Sequence, residues 1–197
     1  MIEEMKIFED GCFVDLDREQ HSLFRLGVGV VLERSDGKIF YALRSNEEGQ
    51  GDWVADKDGE WVMPQGGVDQ GEDLMITMKR ELFEEAGIKP EHVQPIAQRS
   101  DFLAYKFEPL IEPVTWIGQA HCWIYCKFLR DPEKDINLTL NLPQEFQDYG
   151  WKTPLEIVER AQPFHKTIYQ EVLTGFGFLS ERKAIPVVSS HSKLILP

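Results

Sequence analysis

The sequence predicts an α/β domain, and three observations carry the prediction. Short β-rich runs lie on both sides of one sharply bounded amphipathic helix, and a second helical stretch with its own start signal lies late in the chain. At 197 residues and 42% hydrophobic content, the chain is long enough to bury one sizeable core. Strands flanking a central helix, with another helix near the end, fit a mixed sheet packed between helical layers.

The elements follow in order. Residues 1–22 are polar, acidic and weakly patterned, and read as an N-terminal extension or loosely attached arm. Leu26 to Leu32 is a short apolar β-rich run. The turn signal Ser35-Asp36-Gly37 and a second run, Lys38 to Leu43, follow it and suggest a hairpin. Asn46 to Glu60 is rich in glycine and acid around Trp53 and reads as a loop. The central helix is predicted from Asp73 to Ala86, with Leu74, Thr77, Met78, Leu82 and Ala86 on one stripe and Gly87 suited to a left-handed stop. Lys89-Pro90-Glu91 closes that unit.

Val93 to Phe107 and Val114 to Leu129 read as two strands joined by Glu108–Pro113, and Glu133 to Leu142 as a polar connection. Thr153-Pro154-Leu155-Glu156 has the form of a capping box with proline at the first helical position, and helix is expected to about Phe176, with Pro163 marking an interruption or a second start. The expected organisation is therefore an acidic extension (1–22), one catalytic-type domain (23–180) and an unpatterned tail (181–197).

The formal net charge of −13 is unevenly spread. Residues 1–20 carry −5, residues 46–61 another −5 and residues 69–87 a further −4, which leaves the remainder at about +1. Broad nucleic-acid binding, which depends on neutralising phosphates with Lys and Arg, is disfavoured, but recognition of a single polyphosphate end is not. No run approaches the roughly 20 apolar residues of a membrane helix. The N-terminus lacks a basic region followed by an apolar one, and Cys12, Cys122 and Cys126 have neither disulfide-framework nor zinc spacing. A reducing, cytoplasmic setting is expected. Oligomeric state is open.

The most restrictive feature lies between Gly66 and Ile88. On the predicted helix Glu81, Glu84 and Glu85 are spaced i, i+3 and i+4 and share one face. Like charges so placed repel unless a cation sits among them, and oxygen ligands of this kind select magnesium or manganese over zinc. The order is Gly66, five residues, Glu72, seven residues, Arg80-Glu81-Leu82, then Glu84-Glu85, Gly87 and Ile88. This resembles a complete Nudix box, the signature of hydrolases that cleave nucleoside diphosphates linked to another moiety.

The resemblance implies a Nudix-type α/β/α sandwich with a mixed central sheet. It also implies Mg²⁺ or Mn²⁺, more than one ion, held by Glu81, Glu84 and Glu85 with the Gly66 loop. Gly66 and Gly67 would permit unusual backbone angles that bring the loop close to metals and phosphates. Glu72 and Arg80 would form a structural ion pair bracing loop against helix, and Glu145 is the candidate acid from a later loop.

Trp61-Val62-Met63-Pro64-Gln65-Gly66-Gly67 is similar to the branch that contains bacterial RNA pyrophosphohydrolases and asymmetric dinucleoside polyphosphate hydrolases. The likeness continues at Tyr105-Lys106, Gly118-Gln119, Glu145-Phe146 and Phe164-His165-Lys166. It implies phosphate contacts from Arg25 and Arg44, and substrate contacts from Gly66, Gly67, Phe164 and Lys166, with Phe164 stacking on a base. Ala120-His121 and His165 stand where that branch carries basic residues, and the loop at 46–61 is longer and more acidic than usual there. Three readings stay open: removal of pyrophosphate from triphosphorylated RNA 5′ ends, hydrolysis of diadenosine tetraphosphate and its kin, and a catalytically silent nucleotide-sensing module.

Overall fold

The computed structural model describes residues 4–9, 11–45, 59–107 and 115–180. The expected loop at 46–58, the connection at 108–113 and the tail beyond 180 lie outside the described residues.

Among the described residues nine strands form one mixed sheet: β1 (Glu4–Glu9), β2 (Cys12–Asp15), β3 (Phe24–Glu33), β4 (Ile39–Arg44), β5 (Trp61–Val62), β6 (Gln65–Gly67), β7 (Val93–Lys106), β8 (Gly118–Phe128) and β9 (Phe146–Lys152). The described helices are α1 (Arg18–His21), α2 (Leu74–Ala86), α3 (Pro132–Asp135), α4 (Pro154–Arg160) and α5 (Pro163–Gly175), with a 3-10 turn at Pro90–His92. The strand order is β2-β1-β7-β8-β3-β4-β5, while β6 pairs with β3 and β9 with β4. β1–β7 and β3–β8 are parallel, and the other pairings are antiparallel.

The two-residue period of the central strands builds both faces of this sheet. Val28, Val30 and Leu32 of β3, Phe40 and Ala42 of β4, and Ile124, Cys126 and Phe128 of β8 face α2, where they meet Met78, Leu82 and Ala86. Val31, Ile39, Tyr41 and Trp123 point the other way, against Ile157 and Val158 of α4 and Ile168, Tyr169, Val172 and Leu173 of α5. The result is an α/β/α sandwich. α4 starts on a capping box in which the Thr153 side chain accepts from the Glu156 N–H and Glu156 accepts from the Thr153 N–H. Pro163 then begins a separate helix rather than kinking one.

Three expectations need correction. The hairpin of β3 and β4 is paired only at Glu33–Ile39; β4 then runs along β9, and the first half of β3 pairs with β6. Strand β9 was not anticipated, because Gln147, Asp148 and Gly150 break its alternation. Tertiary contact supplies what propensity lacks, as Tyr149 stacks on Phe40 at 5.3 Å and Trp151 meets the same ring edge-on at 5.6 Å. Finally, the N-terminal arm is not loose. β1 runs parallel to the Asp101–Ala104 end of β7, and Met5 and Ile7 are buried against Phe24, Phe102, Ala104 and Cys122. Lys6 on the opposite side reaches Asp101 at 3.2 Å. Two inward residues among acids make a weak sequence signal but a real piece of core.

Among the described residues no helix is long and apolar enough to cross a membrane.

If β1 belongs to the core, Met5→Ala should lower the free energy of unfolding by about 2–5 kcal/mol in urea titrations. A loss under about 0.5 kcal/mol would return residues 4–9 to the status of an accessory arm.

Candidate active site

The site is assembled where α2 passes behind β6. Asp73 caps the helix, its side chain accepting from the Ile76 N–H at 2.8 Å. Gly87 stops it at φ 65°, with its N–H donating to the Phe83 carbonyl and that of Ile88 to the Leu82 carbonyl. The helix turns Met78, Leu82 and Ala86 into the core. The same turn carries Glu81 and Glu85 beneath β6, leaving them 7% and 1% exposed. Glu84, one position round, remains exposed.

Glu85 Oε2 accepts a hydrogen bond from the Gln65 backbone N–H at 3.2 Å, and its buried Oε1 has no hydrogen-bond partner. Burial pushes its pKa well above the ordinary carboxylate value; Arg44 pulls it down and the neighbouring Glu81 and Glu145 push it further up. Burial likewise raises Glu81, against the pull of Arg80.

Gly66 and Gly67 are ordinary strand residues, outside the set of glycines with positive φ. The expectation of unusual backbone angles is therefore replaced by one of space. A Cβ on Gly66 would lie 1.9 Å from the Glu81 carboxyl carbon, and one on Gly67 would lie 2.4 Å from Arg25 Nη2. Glycine lets a strand lie directly over a carboxylate on one position and a guanidinium on the next.

Arg80 ties these pieces together. Its Nε donates to Glu72 Oε1 at 2.8 Å, and its Nη2 donates to Glu72 Oε2 at 2.9 Å and to the Gly67 carbonyl at 2.7 Å. Its Nη1 donates to Glu81 and Glu84, each at 2.8 Å. Glu72 also accepts from the Thr77 hydroxyl at 2.9 Å, and the Arg80 hydrogen bonds bring its pKa down to about 2.

Two arginines approach from the sheet. Arg25 of β3 packs over Gly67, with its guanidinium 5.9 Å from the ring centroid of Trp116. Arg44, at the end of β4, lies 3.8 Å from Glu60, and its charge is felt at Glu85, Tyr105, His121 and His165. Glu145 is exposed in the loop before β9, where its carbonyl accepts from the Ser45 N–H at 2.7 Å; its charge acts on Glu81 and Glu85. Phe164 opens α5 beside Tyr105, with ring centroids 5.5 Å apart, while Lys166, two residues on, is exposed.

Sequence reasoning did not single out the buried polar group between α5 and the sheet. The Gln65 side-chain amide lies 3.4 Å from His165 Nε2, and His165 stacks on Tyr169. Burial holds His165 well below its ordinary pKa and lowers His121 to about 3, so both rings are neutral at neutral pH. The available signal was spacing: His165 and Tyr169 are four apart on a helix and must share a face.

A divalent cation can be tested against these residues. Among the described residues no three acids, histidines or cysteines already converge on one point. Glu81 and Glu84 are each engaged by Arg80 instead. The donor chemistry nevertheless fits, because the donors are carboxylate oxygens, two acids are desolvated, and Glu85 Oε1 is buried without a partner.

Comparison with known proteins bears on the family and the fold. The model of the NUDIX domain matches residues 23–172. The RNA pyrophosphohydrolase of Dinoroseobacter shibae is 34% identical over 158 residues, covering 78% of this chain and 92% of that protein. Nudix hydrolase 25 of Arabidopsis thaliana is 34% identical over 168 residues, covering 80% and 89%. Among solved structures, a C. elegans Ap4A hydrolase binary complex superposes with a TM-score of 0.54 at 21% identity, covering 79% of this chain and 99% of the other. The E. coli dihydroneopterin triphosphate pyrophosphohydrolase gives 0.55 at 14%, covering 78% and 99%. At such identities the structural likeness establishes the fold.

Two outcomes follow from the geometry. Gly66→Ala meets the far end of a flexible side chain, so stability should stay within about 1 kcal/mol of wild type. Displacement of Glu81 should lower turnover at least about tenfold; unchanged turnover would show that the Glu81 position is immaterial. For Glu72, the folded-state pKa of about 2 lies below the ordinary 4.5. Its stabilising contribution is therefore complete above pH 4.5 and lost as the pH falls towards 2. Glu72→Gln should flatten that part of the acid-unfolding curve, and a curve superimposable on wild type would exclude the brace.

Proposed function

The chain belongs to the Nudix family of hydrolases, and we propose that it removes pyrophosphate from the triphosphorylated 5′ ends of RNA. Water attacks a phosphorus of the 5′ triphosphate, one phosphoanhydride bond breaks, and pyrophosphate leaves a monophosphate end. The observation that carries this reading is a pair of desolvated carboxylates, Glu81 and Glu85, with Arg25 packed against the neighbouring Gly67 of β6 and the charge of Arg44 felt at Glu85. Relatives named RNA pyrophosphohydrolase, alike over most of this chain, support the choice of substrate.

Nudix hydrolases use divalent metal ions. Such ions supply charge neutralisation on phosphoryl oxygens and acidify water. Glu81, Glu84 and Glu85 would hold Mg²⁺ or Mn²⁺, with more than one ion bound, and Gly66 leaves room for the Glu81 carboxylate. Glu145, whose charge is felt at both buried acids, would complete the acid set. Arg80 and Glu72 keep the Gly67 carbonyl and the loop fixed over the helix. Arg25 and Arg44 would bind the phosphates, and the exposed Lys166 would add charge near Phe164. Phe164, beside Tyr105, would stack on the first base, which suits a substrate of any sequence.

One observation favours a second substrate, an asymmetric dinucleoside polyphosphate such as diadenosine tetraphosphate. His121 and His165, where the RNA pyrophosphohydrolase branch carries basic residues, are buried and neutral, so neither adds positive charge for an extended RNA backbone. The free thiols of Cys12, Cys122 and Cys126 are compatible with the cytoplasm as the site of action.

Product analysis on triphosphorylated RNA and on diadenosine tetraphosphate, each with Mg²⁺ or Mn²⁺, tests the assignment. Pyrophosphate and monophosphorylated RNA should form at the higher kcat/KM, and faster cleavage of the dinucleotide would reverse the order. Glu85→Gln should lower turnover at least about 10²-fold without lowering thermal stability, because it removes a charge held in a desolvated position. Wild-type turnover in that variant would remove Glu85 from the metal site.

A further inference from the structure

We propose that His165 is a positioning residue for Glu85: from α5 it holds the Gln65 segment whose backbone N–H is the hydrogen-bond donor to that carboxylate, and so sets how α2 presents its acid face to a divalent cation. The proposal rests on the reading of Glu85 as a metal ligand.

Gln65 is tied at both ends to opposite helical layers. Its backbone N–H donates to Glu85 Oε2 of α2 at 3.2 Å. Its side-chain amide N–H points to His165 Nε2 of α5 at 3.4 Å, an arrangement that needs the ring neutral with its proton on Nδ1. At that length the contact orients more than it stabilises. A second tie lies one helical turn further on. The Met63 N–H donates to the Tyr169 hydroxyl at 3.2 Å, and the His165 and Tyr169 rings stack at 5.0 Å with 7° between planes. α5 therefore grips residues 63–65 at two points, and one of them carries the donor to Glu85.

The grip is rigid because what lies behind it is buried. Tyr169 meets Trp123 edge-on at 5.6 Å, and Trp123 fills the space a Cβ on Gly29 would need. Gly29 is the cross-strand partner of Gln65. On the other side, among the described residues Glu85 has a single protein donor for Oε2 and none for Oε1. A shift of the Gln65 backbone therefore moves the one hydrogen-bond donor that the described residues give this carboxylate. Residues that orient metal ligands typically contribute about 10–100-fold to metal affinity.

The test is calorimetric titration of Mn²⁺ alone into the full chain. Wild type is compared with Glu85→Gln, His165→Phe, Gln65→Leu and the His165→Phe/Gln65→Leu double variant. Phenylalanine keeps a ring on Tyr169 and removes the nitrogen, while leucine keeps the backbone N–H and removes the amide. His165→Phe and Gln65→Leu should each weaken Mn²⁺ binding about tenfold, with no further loss in the double variant. In both, kcat should fall while KM for triphosphorylated RNA stays within about twofold. If His165→Phe does not fold, Gln65→Leu reads the same link alone. Wild-type Mn²⁺ affinity in these variants, or additive losses in the double one, would overturn the positioning role while leaving Glu85 as a ligand. Undiminished Mn²⁺ binding by Glu85→Gln would overturn both.

Discussion

The structure around α2 is organised by the cost of placing two carboxylates out of water. Glu81 and Glu85 sit beneath β6 rather than on a solvated helix face, and a buried charge without partners costs several kcal/mol. Each neighbouring feature answers that cost. Gly66 gives up its side chain so that Glu81 has room, Arg80 donates to Glu81 at 2.8 Å, and the Gln65 N–H donates to Glu85. What remains uncompensated is Glu85 Oε1, the atom that makes the cluster suited to a cation.

The sheet serves this arrangement by having two different faces. On one, the alternating Val28, Val30 and Leu32 of β3 seat α2; on the other, Val31 and Trp123 seat α4 and α5. β6 is only three residues long, yet it is the piece through which the layers meet, since Gly66 faces Glu81 and Gln65 faces His165. Arg80 fastens the far end of that piece through the Gly67 carbonyl. A short strand held from both sides can keep an acid pair in place that a free loop could not.

The central helix was legible in the sequence down to its cap residues, because Asp73 and Gly87 act through local chemistry. The separate helix after Pro163 was legible for the same reason. Strands β1 and β9 were not, since their stability comes from partners far along the chain. Met5 needs Phe102, and Tyr149 needs Phe40, before either segment is better ordered than solvated. At the site, the acids and Arg80 could be named from spacing, but the reason for Gly66 could not. The φ-based expectation gave way to a 1.9 Å approach that only the packed structure reveals. The Gln65–His165 contact spans 100 residues and has no local signature.

The central claim is that the half-compensated acid cluster of α2 is a divalent-cation site. It is tested most directly by an anomalous difference map from a crystal of the protein grown with Mn²⁺. The account predicts anomalous peaks beside Glu85 and Glu81, with Glu84 turned from Arg80 towards them. Peaks confined to other acids, with the Arg80 contacts to Glu81 and Glu84 intact, would contradict it.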